Sequence, residues 1–413
     1  MDTQDNRLVI GGVPCGELIS QYGSPLYVYD ASVIKERYRE LASCIDYSRV
    51  KIRYACKANS NIAIMRILRE MGAGLDAVSP GEIYLGLRAG FTPEDILFTG
   101  SNMSTDDMSY ALENGVEVNI GSLHQIDMYG EIAPDTDIAV RINPDVGAGH
   151  HNHCITGGPE SKFGIYFDRV DDIVEKASVY NLQIRGVHSH IGSGILDPET
   201  FLAAMNVLLK TARRFKDLEY IDFGGGIGIP YRCEEKSIPL DVLGERIGSL
   251  FRKFADEYGK NIALELEPGR YLVGESGYLL MSVTDRKDTP AHTFIGTDSG
   301  FNHMIRPMAY GSYHRIVNAS RMDGDEESVA VGGNLCESGD VFTRNEEGIE
   351  EQMLTHPECG DILAVMNAGA YGFSMASNYN SRLLPAEVLA ENGTHRVIRK
   401  RQDIEDLSRG QTG

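Results

Sequence analysis

The sequence predicts an α/β chain: a (β/α)8 barrel followed by a β-rich domain of sandwich or barrel type. Three observations predict it. Short apolar runs alternate with amphipathic stretches through the middle of the chain; there are eight such runs; and after residue 278 the helical spacing stops. A barrel of this kind takes about 250 residues, and the 413 residues leave room for a second domain.

Taken in order, the extended segment 6–30 (LVIGG, PLYVYD) comes first and can join the C-terminal β region. Strands are then expected at 51–55, 75–78, 96–99, 116–120, 137–142, 184–190, 219–223 and 262–266. Helices separate them at 61–71, 79–89, 104–113, 122–130, 168–180, 197–216 and 240–259. The first of these carries Ile64, Met65 and Leu68 on one face. The second opens Ser79-Pro80-Gly81-Glu82, a capping-box pattern with proline at the first helical position. Beyond 278, runs such as YLLMSVTD, ESVAVGG and DILAVMNAG are broken by Gly, Asp and Asn and read as strands. The expected division is a barrel over 31–278 and a β-domain from 1–30 and 279–413.

Thirty-nine Lys+Arg against 60 Asp+Glu give a net charge of −21. That balance speaks against a nucleic-acid or anionic-membrane partner, since both need clustered cations. An anionic ligand must therefore be held by a few local groups. The seven cysteines include no CxxC pair, which fits a reducing compartment and excludes a disulfide framework or cysteine zinc finger. The start Met1-Asp2-Thr3-Gln4-Asp5 has no signal-peptide pattern, and no apolar run nears the roughly 18 residues that span a bilayer. A cytoplasmic protein is expected.

The residues that can carry chemistry fall at strand ends. Lys57 follows the first expected strand, Asp76 lies in the second, Arg141 ends the fifth and His190 the sixth. Gly224-Gly225-Gly226 follow the seventh and Glu267 the eighth. In a barrel these positions meet at the C-terminal mouth. A lysine partly desolvated there can act as a Schiff-base nucleophile, or can simply snorkel at a strand end. The glycine run offers backbone N–H groups to a phosphate but lacks GxGxxG, because Ile229 stands at the last glycine; alone it could be a tight turn. Glu267-Pro268-Gly269-Arg270 sets a carboxylate able to keep a heterocyclic nitrogen protonated beside an anion-binding arginine, or a surface ion pair. His188 and His190, two apart, share one strand face, and for either one a satisfied core or rim histidine is the favoured reading.

Together the blocks YACKANSN (54–61), GLDAVSPGE (74–82), RINPDV (141–146), SKFGI (161–165) and HSHIGSG (188–194) resemble the fold-type III pyridoxal-phosphate decarboxylases. FGGGIGIPY (223–231), ELEPGRYLV (265–273), CESGDVF (336–342) and GAYGFSMASNYNSR (369–382) extend the likeness along nearly the whole chain. This is the ornithine, diaminopimelate and arginine decarboxylase group, and the likeness is strongest to its diaminopimelate branch. The resemblance implies an alanine racemase-like barrel, pyridoxal 5'-phosphate as cofactor, and a homodimer with shared active sites. It implies that Lys57 carries the cofactor, His190 stacks on its ring and Glu267 pairs with the pyridine nitrogen. Asp76, Ser193, Gly224, Gly225, Gly226, Gly269, Arg270 and Tyr371 complete the cofactor site. Arg141, Arg270, Arg306, Tyr310, Glu337 and Tyr371 are implied at the substrate. Cys336 would give a proton to the carbanion carbon, and both Cys336 and Glu337 would come from the other subunit.

The implied reaction is decarboxylation of meso-2,6-diaminopimelate to L-lysine, the last step of lysine biosynthesis. A thiol can deliver the proton while it is not a thiolate. The distal ammonium and carboxylate of that substrate call for an anion and a cation together, which Glu337 and Arg306 supply. One segment departs from the family: Gly149-His150-His151-Asn152-His153-Cys154 follows RINPDV. Its three histidines and cysteine could bind a metal, but no carboxylate or second cysteine falls at finger spacing, so it reads first as a gating or structural loop and no metal is expected. Alternative substrates on the same fold are ornithine, arginine, carboxynorspermidine or a carrier-bound amino acid. A metal-dependent barrel hydrolase built on His188 and His190 lacks its later His/Asp ligands, and a non-catalytic barrel would not need the CESGD and GAYG blocks.

Overall fold

The computed structural model describes residues 2–149 and 157–412. The His150–Cys154 stretch of the departing loop therefore lies outside the described residues. The chain forms two compact units, Lys35–Ile229 with Lys236–Leu272, and Met1–Ile34 with Pro230–Glu235 and Val273–Gly413.

The first unit is a closed barrel. Its parallel strands are β1 (Val50–Ala55), β2 (Gly74–Ala77), β3 (Ile96–Phe98) and β4 (Glu117–Ile120). They continue as β5 (Asp137–Asn143), β6 (Gln183–His188), β7 (Tyr220–Asp222) and β8 (Ala263–Leu266). Each pairs with the next and β8 pairs back to β1. All eight expected strands are present within two residues at each end, because buried apolar runs leave no other face to the chain. The seven expected helices are present too, among them Ile62–Glu70, Pro80–Ala89 and Pro198–Ala212. A further helix, Ala31–Cys44, was not expected. At Pro80–Ala89 the Ser79 hydroxyl accepts from the Glu82 N–H as anticipated, but the Glu82 carboxylate reaches one residue further back, to the Val78 N–H at 2.8 Å.

Inside the barrel, Leu97 of β3, Ala139 of β5 and Tyr220 of β7 form one buried cluster, the alternate-strand layering of this fold. Arg53 of β1 joins them with its guanidinium 5.8 Å from the Tyr220 ring. Arg53 is ion-paired with Glu265 of β8, each side chain only 5% exposed. Gly186 in β6 makes room for Tyr220, since a Cβ there would meet the phenol ring at 2.2 Å. A polar plug thus fills the barrel below its mouth.

The second unit is built on a nine-stranded sheet. Its longest strand, Gly277–Asp288, pairs with Leu26–Asp30 and Ile362–Val365 through its first half and with Thr293–Thr297 through its second. Leu26–Asp30 also runs parallel to Ala386–Glu391, so the N-terminal segment supplies an interior strand of a sheet made mainly by the C-terminal region. Leu8, Ile10, Leu18, Val28, Leu280 and Val388 lie in the core beneath it. Two short helices interrupt the expected all-β texture, Cys15–Tyr22 and Arg306–Tyr310. Among the described residues no helix is long and apolar enough to cross a membrane.

Candidate active site

Lys57, Asp76, Arg141, His190, the Gly224–Gly226 turn and Glu267 all sit on strand ends or just past them at the barrel's C-terminal rim. Lys57 lies in a single 3-10 turn, Cys56–Ala58, directly after β1. The Tyr54 hydroxyl donates to the Asn59 carbonyl at 2.9 Å, and the Ala55 N–H donates to the Pro268 carbonyl, which ties the turn to the Glu267 segment. The Lys57 ammonium is 3.0 Å from Asp76 Oδ2, the lysine 34% exposed and the aspartate fully buried. Burial first, and the charge of Glu267 second, push the Asp76 carboxyl up to about 7 in spite of Lys57.

This has a consequence for stability. An unfolded aspartate titrates at about 3.9, so between that value and 7 the folded state binds the extra proton. Stability from this group is full below about pH 3.9, declines as pH rises toward 7, and is level above. Relative to the Asp76→Asn variant, the wild type should lose denaturant stability between pH 4.5 and 7.5. A difference that does not change with pH would reject this protonation of Asp76.

Behind the lysine stands a buried trio that the sequence reading did not assemble. His188 Nε2 is 2.9 Å from Glu267 Oε2, and ligand atoms of His188, Asp222 and Glu267 all lie within 4.8 Å of one another. Burial holds His188 below the ordinary histidine value against the pull of Glu267. A neutral imidazole then donates from Nε2 and leaves Nδ1 without a proton, which agrees with Nδ1 having no partner among the described residues. Burial would raise Glu267, yet His188 and Lys57 hold it below the usual carboxylate range. Asp222 goes the other way, pushed well up by burial and then by Glu267 and Glu265. Within the trio, Glu267 is thus the carboxyl held low and Asp222 the one held high. The Glu267 Oε1 is buried and has no hydrogen-bond partner among the described residues.

The glycine turn is clamped on both sides. The Gly224 N–H donates to Asp222 Oδ1 at 2.7 Å and the Gly225 N–H to His190 Nδ1 at 3.1 Å. These two N–H groups are thus already used by the protein. Gly224 and Gly226 need positive φ, at 67° and 117°. A Cβ on Gly225 would meet the Glu267 carbonyl at 2.2 Å, so the run is glycine for close packing as well as for conformation. His190, held by burial and then by Lys57 and Arg141 well below the ordinary histidine range, is neutral beside this turn. Ser193 Oγ accepts from Arg270 Nε at 3.2 Å and Nη2 at 3.0 Å, and Arg270 directly follows Gly269. Arg141, in β5, is buried with its guanidinium 4.5 Å from the Phe163 ring. Burial lowers it to about 10 against the charges of Glu267 and Asp76, and it remains a cation at neutral pH.

The remaining expected residues belong to the sheet unit. Arg306 and Tyr310 share the helix Arg306–Tyr310. Cys336 and Glu337 are exposed on the loop 335–340, and Tyr371 stands in the turn after Ala370 at φ 58°. The loop is firmly held: Asp340 accepts from the Leu335 and Phe301 N–H groups, both at 2.7 Å, and the Cys336 N–H donates to Asn380 Oδ1 at 2.7 Å. Replacing Asp340 by Ala strands two backbone donors and should lower unfolding stability by about 1–3 kcal/mol. A denaturation midpoint equal to wild type would count against this staple.

Of the trio, only Glu267 was expected in a role. The available signals for the others were the HxH spacing at the end of β6 and an aspartate placed directly before Phe223 and the glycine run.

The chain is similar to known proteins along nearly its whole length. The family model described as pyridoxal-dependent decarboxylase, pyridoxal binding domain, matches residues 31–274. The diaminopimelate decarboxylase of Methanothermobacter thermautotrophicus is 48% identical, covering 98% of this chain and 95% of the relative. That of Escherichia coli K12 is 38% identical, covering 94% of each chain. The crystal structure of diaminopimelate decarboxylase from M. jannaschii in complex with L-lysine has a TM-score of 0.89 at 31% identity, covering 100% of this chain and 97% of that one.

Proposed function

From the fact that this chain belongs to the pyridoxal-dependent decarboxylases, we propose that it converts meso-2,6-diaminopimelate to L-lysine and CO2 with pyridoxal 5'-phosphate. The observation that carries the reading is the buried, unpartnered Glu267 Oε1 in a charge cluster with Lys57, in a chain so close in sequence to diaminopimelate decarboxylases. The residues fit the cofactor: an amine, a carboxylate oxygen awaiting a ring N–H, and a glycine cradle that any Cβ would fill. When bound, pyridoxal phosphate supplies the electron sink for the pair left behind by CO2.

The chain's own groups do the rest. Lys57 provides the amine that holds the cofactor. Glu267 keeps its negative charge through the His188 hydrogen bond and so holds a proton on the ring nitrogen; a neutral side chain there would weaken the sink. His190, fixed through Nδ1 by the Gly225 N–H, walls the ring. Ser193, Gly226, Gly269 and Arg270 serve the phosphate, and Asp76 keeps Lys57 in place. In this reading Arg306, Tyr310, Glu337 and Tyr371 recognise substrate, Arg141 adds a buried cation, and Cys336 hands over a proton from Sγ. Homodimerisation, with Cys336 and Glu337 given to the partner's site, is supported by a loop that is stapled from within yet exposed. A cytoplasmic setting is supported by the six described cysteines all being free.

The test is to supply meso-diaminopimelate, ornithine, arginine and carboxynorspermidine separately and measure CO2 and the product. L-Lysine from the first, with at most slow amine release from the others, is expected. No turnover of meso-diaminopimelate would overturn the reading.

A further inference from the structure

We propose that His314 is a positioning residue that fixes the plane of the Arg306 guanidinium, and through it the preference for a substrate with a distal carboxylate. This rests on the function proposed above, and on a set of contacts lying wholly within the sheet unit. Helix Arg306–Tyr310 is little more than one turn and ends at Gly311 in the left-handed region, φ 57°. A Cβ there would meet the Glu346 nitrogen at 2.7 Å, so glycine is required and the chain reverses at once. The reversal brings His314 back against Arg306, both buried, at 1% and 7% exposure.

The hydrogen bonds allow one tautomer. A carbonyl oxygen can only accept, and His314 Nδ1 is 2.9 Å from the Met366 carbonyl, so Nδ1 carries the proton. Arginine Nε can only donate, and it lies 3.2 Å from His314 Nε2, so Nε2 is the bare acceptor. Arg306 Nη2 donates to Ser312 Oγ at 3.3 Å. Two bonds from different nitrogens of one planar group set both its direction and its roll. The Tyr231 ring closes the arrangement, 5.0 Å from the His314 ring and 5.5 Å from the guanidinium carbon. The support is itself anchored: Gln352 donates to the His314 carbonyl at 2.8 Å and accepts from the Ile316 N–H at 2.9 Å.

A histidine kept only for packing would not need an acceptor aimed at an arginine. Paired recognition of a carboxylate requires the guanidinium and carboxylate planes to align, so loosening the roll of Arg306 penalises that end of the substrate alone. L-Lysine retains the distal carboxylate of the substrate, whereas cadaverine lacks it, and this gives a discriminating pair of inhibitors.

The experiment uses the holoenzyme and its His314→Phe, His314→Gln and Ser312→Ala variants. For His314→Phe, KM for meso-diaminopimelate and Ki for L-lysine should each rise about tenfold or more, with kcat and the Ki for cadaverine within about threefold. His314→Gln, whose amide can again accept from Arg306, should recover most of the loss, and Ser312→Ala should show a smaller loss of the same kind even if His314→Phe does not fold. Unchanged KM and lysine inhibition, or equal weakening of lysine and cadaverine, would overturn the role of His314 while leaving the proposed function intact. A wild type that does not decarboxylate meso-diaminopimelate would overturn both.

Discussion

Lys57→Ala should abolish turnover, lowering kcat/KM by at least about 10⁴-fold, and should remove the visible absorbance of the lysine-bound cofactor. The reason is geometric as well as chemical. The turn Cys56–Ala58 presents one amine at the rim, 3.0 Å from a buried aspartate, and no other lysine among the described residues lies at a barrel strand's C-terminal end. Removing it leaves Asp76 buried without its cation. Fold loss must therefore be separated from site loss by circular dichroism. Borohydride treatment of wild type should fix the cofactor to the peptide that contains residue 57, and to no peptide in the variant. A colourless wild type that cannot be reconstituted with pyridoxal phosphate would refute the cofactor.

The second large effect is expected at Cys336. If its thiol gives the proton to the carbon that has lost CO2, Cys336→Ala should lower kcat by about 10²- to 10⁴-fold while the cofactor absorbance stays. The loop itself should survive, because its hold comes from Asp340 and Asn380 and engages backbone N–H groups, not the sulfur. Cys336→Ser keeps a proton on a poorer acid and should fall between the two. Full activity in Cys336→Ala would reject the proton-donor role. Co-expression of Cys336→Ala with Lys57→Ala tests sharing of sites: a mixed dimer should regain activity in one of its two sites, and complete inactivity would argue against sharing.

These residues were legible to different degrees. Lys57, Asp76, Arg141, the glycine turn and Glu267 could be placed at one rim from periodicity alone, because each falls at or just beyond a strand's C-terminal end and a barrel gathers those ends. The carbonyl and N–H bookkeeping of the turn was not legible. Three adjacent glycines look equally open to an anion, yet Asp222 and His190 occupy two of their donors, and His190 lies 35 positions away in sequence. In the sheet unit, the helix Arg306–Tyr310 was hidden in a region of strand-like texture, since a single turn is too short to show a 3.6-residue period.

By itself the sequence determined the alternation of strands and helices, and hence which side chains reach the barrel's rim. Those properties follow from the local repeat of apolar residues and need no knowledge of distant partners. The tertiary structure alone decided which groups are charged and where each proton sits. Glu267 is held low by His188, 79 positions away, and the Arg53 cation finds its counter-ion in Glu265, 212 positions away. His314 takes its tautomer from the Met366 carbonyl on one side and Arg306 on the other. Protonation depends on burial and on the direction of hydrogen bonds between segments brought together by folding, and neither quantity is periodic along a chain.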